Sequence, residues 1–177
     1  FPAREDTQID GVSKLLKKAD GSMLLAGTVK PVEDDEYGMN YGAFLWNLSA
    51  ELEFGEIWHN LGKYHHGNVG EVIINGNGQA IVIGQGLMGG EPSISVVNSD
   101  LTEHAYFAGS YDDTWYGSGG LALSSDSTFW SAQKDQDKYA YPHPMVLIEY
   151  DENLVEQSRK YLLDESGYTS ENGVIYN

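Results

Sequence analysis

Short apolar runs alternate along the chain with clusters of Gly, Asn, Asp and Ser. Runs of that length between turn residues predict strands rather than helices. Residues 13–29 (SKLLKKADGSMLLAGTV), 70–86 (GEVIINGNGQAIVIGQG) and 119–135 (GGLALSSDSTFWSAQKD) each read as a strand, a small-polar turn and a second strand. Their turns are Asp20-Gly21, Asn77-Gly78 and Asp126-Ser127. The first two are strong hairpin signals. A second hairpin follows each time, at 43–58 (AFLWNLSAELEFGEIW), 93–107 (SISVVNSDLTEHAYF) and 145–161 (MVLIEYDENLVEQSRKY). Aligning Leu52, Leu101 and Leu154 puts Ser49, Asn98 and Asp151 at one turn position. The unit is then about 50 residues long and carries four strands, the size of a propeller blade.

The expected fold is a single all-β domain over 1–177 made of three propeller-like four-stranded repeats. They run over about 12–62, 69–109 and 119–162, with a further strand at 172–176 that resembles the opening of unit two (GVIYN beside GEVIIN). The alternative is a β-sandwich, because all hairpins need similar turn chemistry. Residues 151–164 (DENLVEQSRKYLLD) pull the other way, with helix formers and Asn153 at a helix N-cap position. The repeat argues for strand there, and strand is preferred.

Unit one resembles the blades of bacterial β-propellers. The likeness lies in Asp20-Gly21-Ser22-Met23-Leu24-Leu25-Ala26-Gly27, then Phe44-Leu45-Trp46-Asn47-Leu48, then Trp58. In the later units Gly84 and Ala132 stand near the Ala-Gly position, and Tyr106 near that of Trp58. The resemblance covers 12–162 and implies architecture only, since propellers host enzymes, lectins and scaffolds. Residues 124–130 (SSDSTFW) are similar to the Ser-x-Asp-x-Gly-x-x-Trp turn of sialidase-like propellers, but lack its Gly and its spacing. Those enzymes clamp a carboxylate with several Arg, and this chain has only Arg4 and Arg159. A closed propeller takes about four to eight blades. Three repeats therefore imply a partial propeller, one completed by an oligomer (a homodimer through edge strands), or a structural fragment of a larger one.

Composition narrows the function. Lys+Arg 10 against Asp+Glu 27 gives a net charge of −17, which argues against nucleic acid and anionic membranes. No apolar run is long enough to span a bilayer. Cys is absent, which removes disulfides and thiolate metal sites. The start, Phe1-Pro2-Ala3-Arg4, shows no basic region followed by an apolar stretch. The compartment stays undetermined, with an extracellular or periplasmic one favoured. Asn47-Leu48-Ser49 is a glycosylation triplet, but it falls inside an expected strand.

In a propeller blade the two short turns of each unit lie on one face and the longer connections on the other. The long connections here are 30–42 (KPVEDDEYGMNYG), 59–70 (HNLGKYHHGNVG), 86–92 (GLMGGEP), 109–119 (GSYDDTWYGSG), 133–144 (QKDQDKYAYPHP) and 165–173 (ESGYTSENG). The short turns look poor in chemistry. The candidate ligand-binding residues are Tyr111, Asp112, Asp113, Trp115 and Tyr116, joined by Tyr64, His66 and Tyr141. Rings beside carboxylates suit a sugar, whose C–H faces stack and whose hydroxyls donate. They also suit a cation or a protein partner.

The expected function is a non-enzymatic binding or assembly module using this aromatic, acid-rich loop face for a glycan or a protein. The alternative is a carbohydrate-active enzyme with loop carboxylates as acid and base, whose spacing would set the mechanism. No catalytic residue is assigned. No cofactor is expected. Ca²⁺ is the candidate ion at 33–36 (EDDE) or 135–137 (DQD), although neither run has the spacing of a calcium loop, and a solvated charge run is the preferred reading. His59, His65 and His66 lack the spacing of a zinc helix.

Overall fold

The computed structural model describes residues 7–32, 41–61, 69–84, 93–108, 120–134 and 145–161. Over these residues the chain is all β, with twelve strands and no helix. Sheet A holds β1 (Thr7–Lys17), β2 (Met23–Pro31), β3 (Gly42–Leu48) and β4 (Phe54–His59). Sheet B holds β5 (Val69–Ile74), β6 (Ala80–Gly84), β7 (Ser93–Val97) and β8 (Glu103–Ala108). Sheet C holds β9 (Leu121–Leu123), β10 (Thr128–Lys134), β11 (Met145–Asp151) and β12 (Glu156–Tyr161). Each sheet is an antiparallel meander in chain order. A two-sheet sandwich would divide the strands in two; they form three sets of four.

Local chemistry explains the turns. Lys18 N–H donates to Ser22 O at 2.8 Å and Gly21 N–H to Lys18 O at 3.1 Å. Asn75, Gln79 and Gly78 repeat this pair in sheet B. Gly21 and Gly78 sit at φ 88° and 78°, where a glycine escapes the clash of a Cβ. The second hairpin of every sheet closes the same way, on Ser49, Asn98 and Asp151. There the left-handed residue is a leucine: Leu52 at φ 65°, Leu101 at 62° and Leu154 at 62°. A side chain in that conformation costs about 1–2 kcal/mol. The segment after Asp151 is therefore a turn and then β12, not a helix. The side chain of Asp151 accepts from Asn153 N–H at 2.8 Å and Val155 N–H at 3.0 Å, which holds the backbone in the turn.

Packing shows what offsets the leucine strain. Sheets A, B and C stack face to face in series. Leu24, Ala26, Ala43 and Leu45 of sheet A meet Val72, Ala80, Val82 and Val97 of sheet B. Ile81, Ile83, Ile94 and Val96, on the other face of sheet B, meet Phe129, Val146, Ile148 and Tyr150 of sheet C. Both interfaces use the same face of the leading sheet. Leu24 and Ile81 follow their first turns by the same six residues, and Leu45 and Ile94 precede their second turns by the same four. The front of each sheet thus meets the back of the next. Leu101 reaches back into the A–B core and is 9% exposed. Leu154 packs against the B–C core. Leu52 belongs to the first described sheet and is 56% exposed.

Sheet B, covered on both faces, has every residue of β6 and β7 buried. The sheets approach along their first strands, β1 against β5 and β5 against β9. The first unit begins earlier than the repeat predicts. β1 starts at Thr7 and passes two register shifts, at Ile9/Gly11 and Val12/Lys14, that keep it paired with β2.

Candidate functional site

Polar bonds between neighbouring sheets fix which ends face the same way. Gly76 N–H, in the first turn of sheet B, donates to Asp126 O, in the first turn of sheet C, at 3.0 Å. Asn77 Nδ2 donates to Glu152 Oε2 at 2.9 Å, and Asn47 Nδ2 to Ser99 O at 3.4 Å. Turn meets turn at the B–C junction, and at the A–B junction the end of β3, beside the second turn of sheet A, meets the second turn of sheet B. The strand ends carrying the long connections therefore lie at the opposite end of all three sheets.

The residues of those connections fall outside the described residues. That applies to Tyr111, Asp112, Asp113, Trp115 and Tyr116, and to Tyr64, His66 and Tyr141. It also applies to the acidic runs 33–36 and 135–137 and to the strand expected at 172–176. Two residues of the long connections that carry aromatic or imidazole rings are described: Tyr41 is half-buried just before β3, and His59 ends β4. Among the described residues no three His, Asp or Glu side chains converge as a metal site requires.

The short-turn end holds more chemistry than its sequence suggests. A groove of about 600 Å³ lies between sheets A and B, lined by Lys18, Asp20, Asn47, Glu53, Phe54 and Asp100 among others. Lys18 Nζ donates to Asn47 Oδ1 at 2.5 Å. Burial pushes the Lys18 ammonium below its ordinary range, and the nearby Asp20 charge pulls it partly back. Asp20 accepts from the Ser22 hydroxyl at 2.6 Å and from Ser22 N–H at 2.9 Å, which hold its carboxyl below the usual range. Asp100 is held down in the same way by the hydroxyl and N–H of Thr102.

These carboxylates are tied to their own turns. A general acid needs a pKa near the working pH, and theirs move away from it. The lysine is engaged by Asn47, whose amide also crosses to sheet B. The groove is chemically a joint between sheets. Asn47 in the glycosylation triplet serves this joint from the end of β3. A polar residue flanked by apolar neighbours in a buried strand was the available sequence signal.

A third polar cluster lies on the front of sheet C. Glu149 accepts from the hydroxyls of Ser124, of Ser158 at 3.1 Å and of Thr128 at 3.3 Å. The Ser124 bond is the main cause of its lowered pKa, which Lys160 also favours. Lys160 Nζ stands 5.1 Å from the ring centre of Trp130. No protein-family model matches the chain, and no curated protein matches it.

Proposed function

We propose that the chain is a propeller-like repeat module that binds a glycan or a protein partner, without catalysis, on the face formed by its long connections. The supporting observation is that neighbouring sheets join at their short-turn ends at both junctions, which leaves the long-connection ends of all three sheets on the other side. Residues 111–116 (YDDTWY) concentrate three rings and two carboxylates on one of those connections. Stacking rings beside acceptor oxygens match a sugar, and the charge of −17 favours partners that are neutral or cationic. The fan of sheets, closest along their first strands, supports the propeller-like reading.

A glycan array with and without Ca²⁺ tests this. Binding without turnover is the expected result. Trp115→Ala and Tyr116→Ala should each remove most of the signal while leaving the fold intact. Binding that survives both substitutions rejects the site, and hydrolysis of the bound glycan rejects the non-catalytic role.

A further inference from the structure

Head-to-tail stacking leaves two unmatched faces among the described residues: the back of sheet A and the front of sheet C. Each carries apolar residues at the positions that the internal junctions bury. On the front of sheet C, Trp130 and Leu147 occupy the places of Leu24 and Leu45 in sheet A and of Ile81 and Ile94 in sheet B. Those four are buried, whereas Trp130 and Leu147 are only half-buried. On the back of sheet A, Val12 and Leu15 are 58% and 55% exposed. Leu52 holds its left-handed turn there without the preceding sheet that covers Leu101 and Leu154. Val29, Phe44, Trp46 and Leu48 on this face are already buried within the chain, so the open area lies along β1, at Val12 and Leu15, and at the second turn, at Leu52.

We propose that a second copy of this chain covers these faces: the front of sheet C in each copy packs on the back of sheet A in the other. The occupant is argued from continuity, because the A–B and B–C junctions already join a front to a back twice within one chain. A second copy supplies both missing faces at once, through two equal contacts about a two-fold axis. A head-to-tail contact closes into a ring when its rotation allows. Two copies, each with the three described sheets, give six, inside the range of about four to eight that closed propellers use. The contact is face to face, and so differs from pairing of edge strands. It rests on the fanned stacking of the proposed module but not on its ligand.

The test uses solution mass with two exposed first-strand positions, Leu15 on the back of sheet A and Ala122 on the front of sheet C. Both side chains are open in the single chain, so substitution there spares its core. Wild type should have twice the 19.5 kDa chain mass by sedimentation equilibrium. Leu15→Glu and Ala122→Arg should each give monomers. An equal mixture of the two should return to the dimer mass, because one contact is then native and the other pairs Glu with Arg. A wild-type monomer, an open-ended polymer, or a mixture that stays monomeric overturns the proposal. X-ray scattering of the Leu15→Glu monomer separates the two readings. A profile matching three fanned sheets, without a wild-type dimer, sinks only the closure; any other profile sinks the module as well.

Discussion

Replacing each left-handed leucine with glycine measures what holds the repeats together. At Leu101, truncation of a buried leucine costs about 2–5 kcal/mol. Relief of the left-handed strain returns about 1–2 kcal/mol. The extra freedom of glycine in the unfolded chain removes about 0.5–1 kcal/mol of that gain. Leu101→Gly should therefore lose about 2 kcal/mol on balance. At Leu52 the side chain is 56% exposed, so less than half of a burial worth about 1.5–3 kcal/mol is at stake. Strain relief offsets that loss, and Leu52→Gly should fall near zero. The two variants should differ by about 4–8 °C in Tm, at about 2–4 °C per kcal/mol for a chain of this size. The assay is thermal and urea unfolding in a Leu15→Glu background, where self-association does not add to stability. Equal losses at Leu52 and Leu101 would refute the claim that these leucines pay for their strain by packing on the preceding sheet.

Gly76→Ala should destabilise the chain by about 1–3 kcal/mol by forcing apart two tightly packed turns. A Cβ there would stand 2.6 Å from the Cβ, Cγ and Oδ1 of Asp126, in the first turn of sheet C. A urea midpoint equal to wild type would disprove the close contact between turns. Ser124→Ala should raise the Glu149 pKa towards the ordinary carboxylate range, read by carbon NMR of its carboxyl group. Because the folded pKa lies below the unfolded one, this group's stabilisation is present above the unfolded value and fades as pH falls through the folded value. An unchanged titration would remove Ser124 as the main cause. Added salt should tighten the dimer, since each copy carries −17 and screening weakens their repulsion; weaker association at high salt would point to ion pairs as the main attraction.

Among the described residues the strand count and order were legible because turn chemistry is local. Asp20-Gly21 and Asn77-Gly78 mark left-handed turns by composition alone. Aligning the three leucines located a shared turn position, but their backbone conformation was not legible. Propensity assigns left-handed places to Gly and Asn, and here packing between sheets overrides it. The same override turns residues 151–161 from a helix-forming sequence into a hairpin, because β11 and β12 satisfy each other's backbone groups. The polar joint around Lys18 and Asn47 was missed because its members lie far apart in sequence: Lys18 and Asn47 meet when sheet A forms, and Ser99 joins them when sheet B docks. The aromatic and acidic candidates at 111–116 lie outside the described residues. Whether a set such as 111–116 meets Tyr64, His66 and Tyr141 is a tertiary property that periodicity does not encode.

The composition of each face follows from its neighbours. Sheet B meets a sheet on both sides, and β6 and β7 are buried throughout (AIVIG and SISVV). The front of sheet C mixes Trp130 and Leu147 with Glu149, Ser158 and Lys160. Its hydroxyls and ammonium support the carboxylate, so the face is stable in water and still offers apolar area. A face buried throughout would bear the desolvation cost of that carboxylate, and a face always in water would not need the tryptophan. The mixture fits a surface that is both wet and covered during the life of the protein, and therefore an association that is reversible rather than obligate. Leu52 makes the same point from the other side: the turn keeps a costly leucine in solvent where glycine would relieve the strain, as expected if a neighbouring sheet covers it in the assembled state.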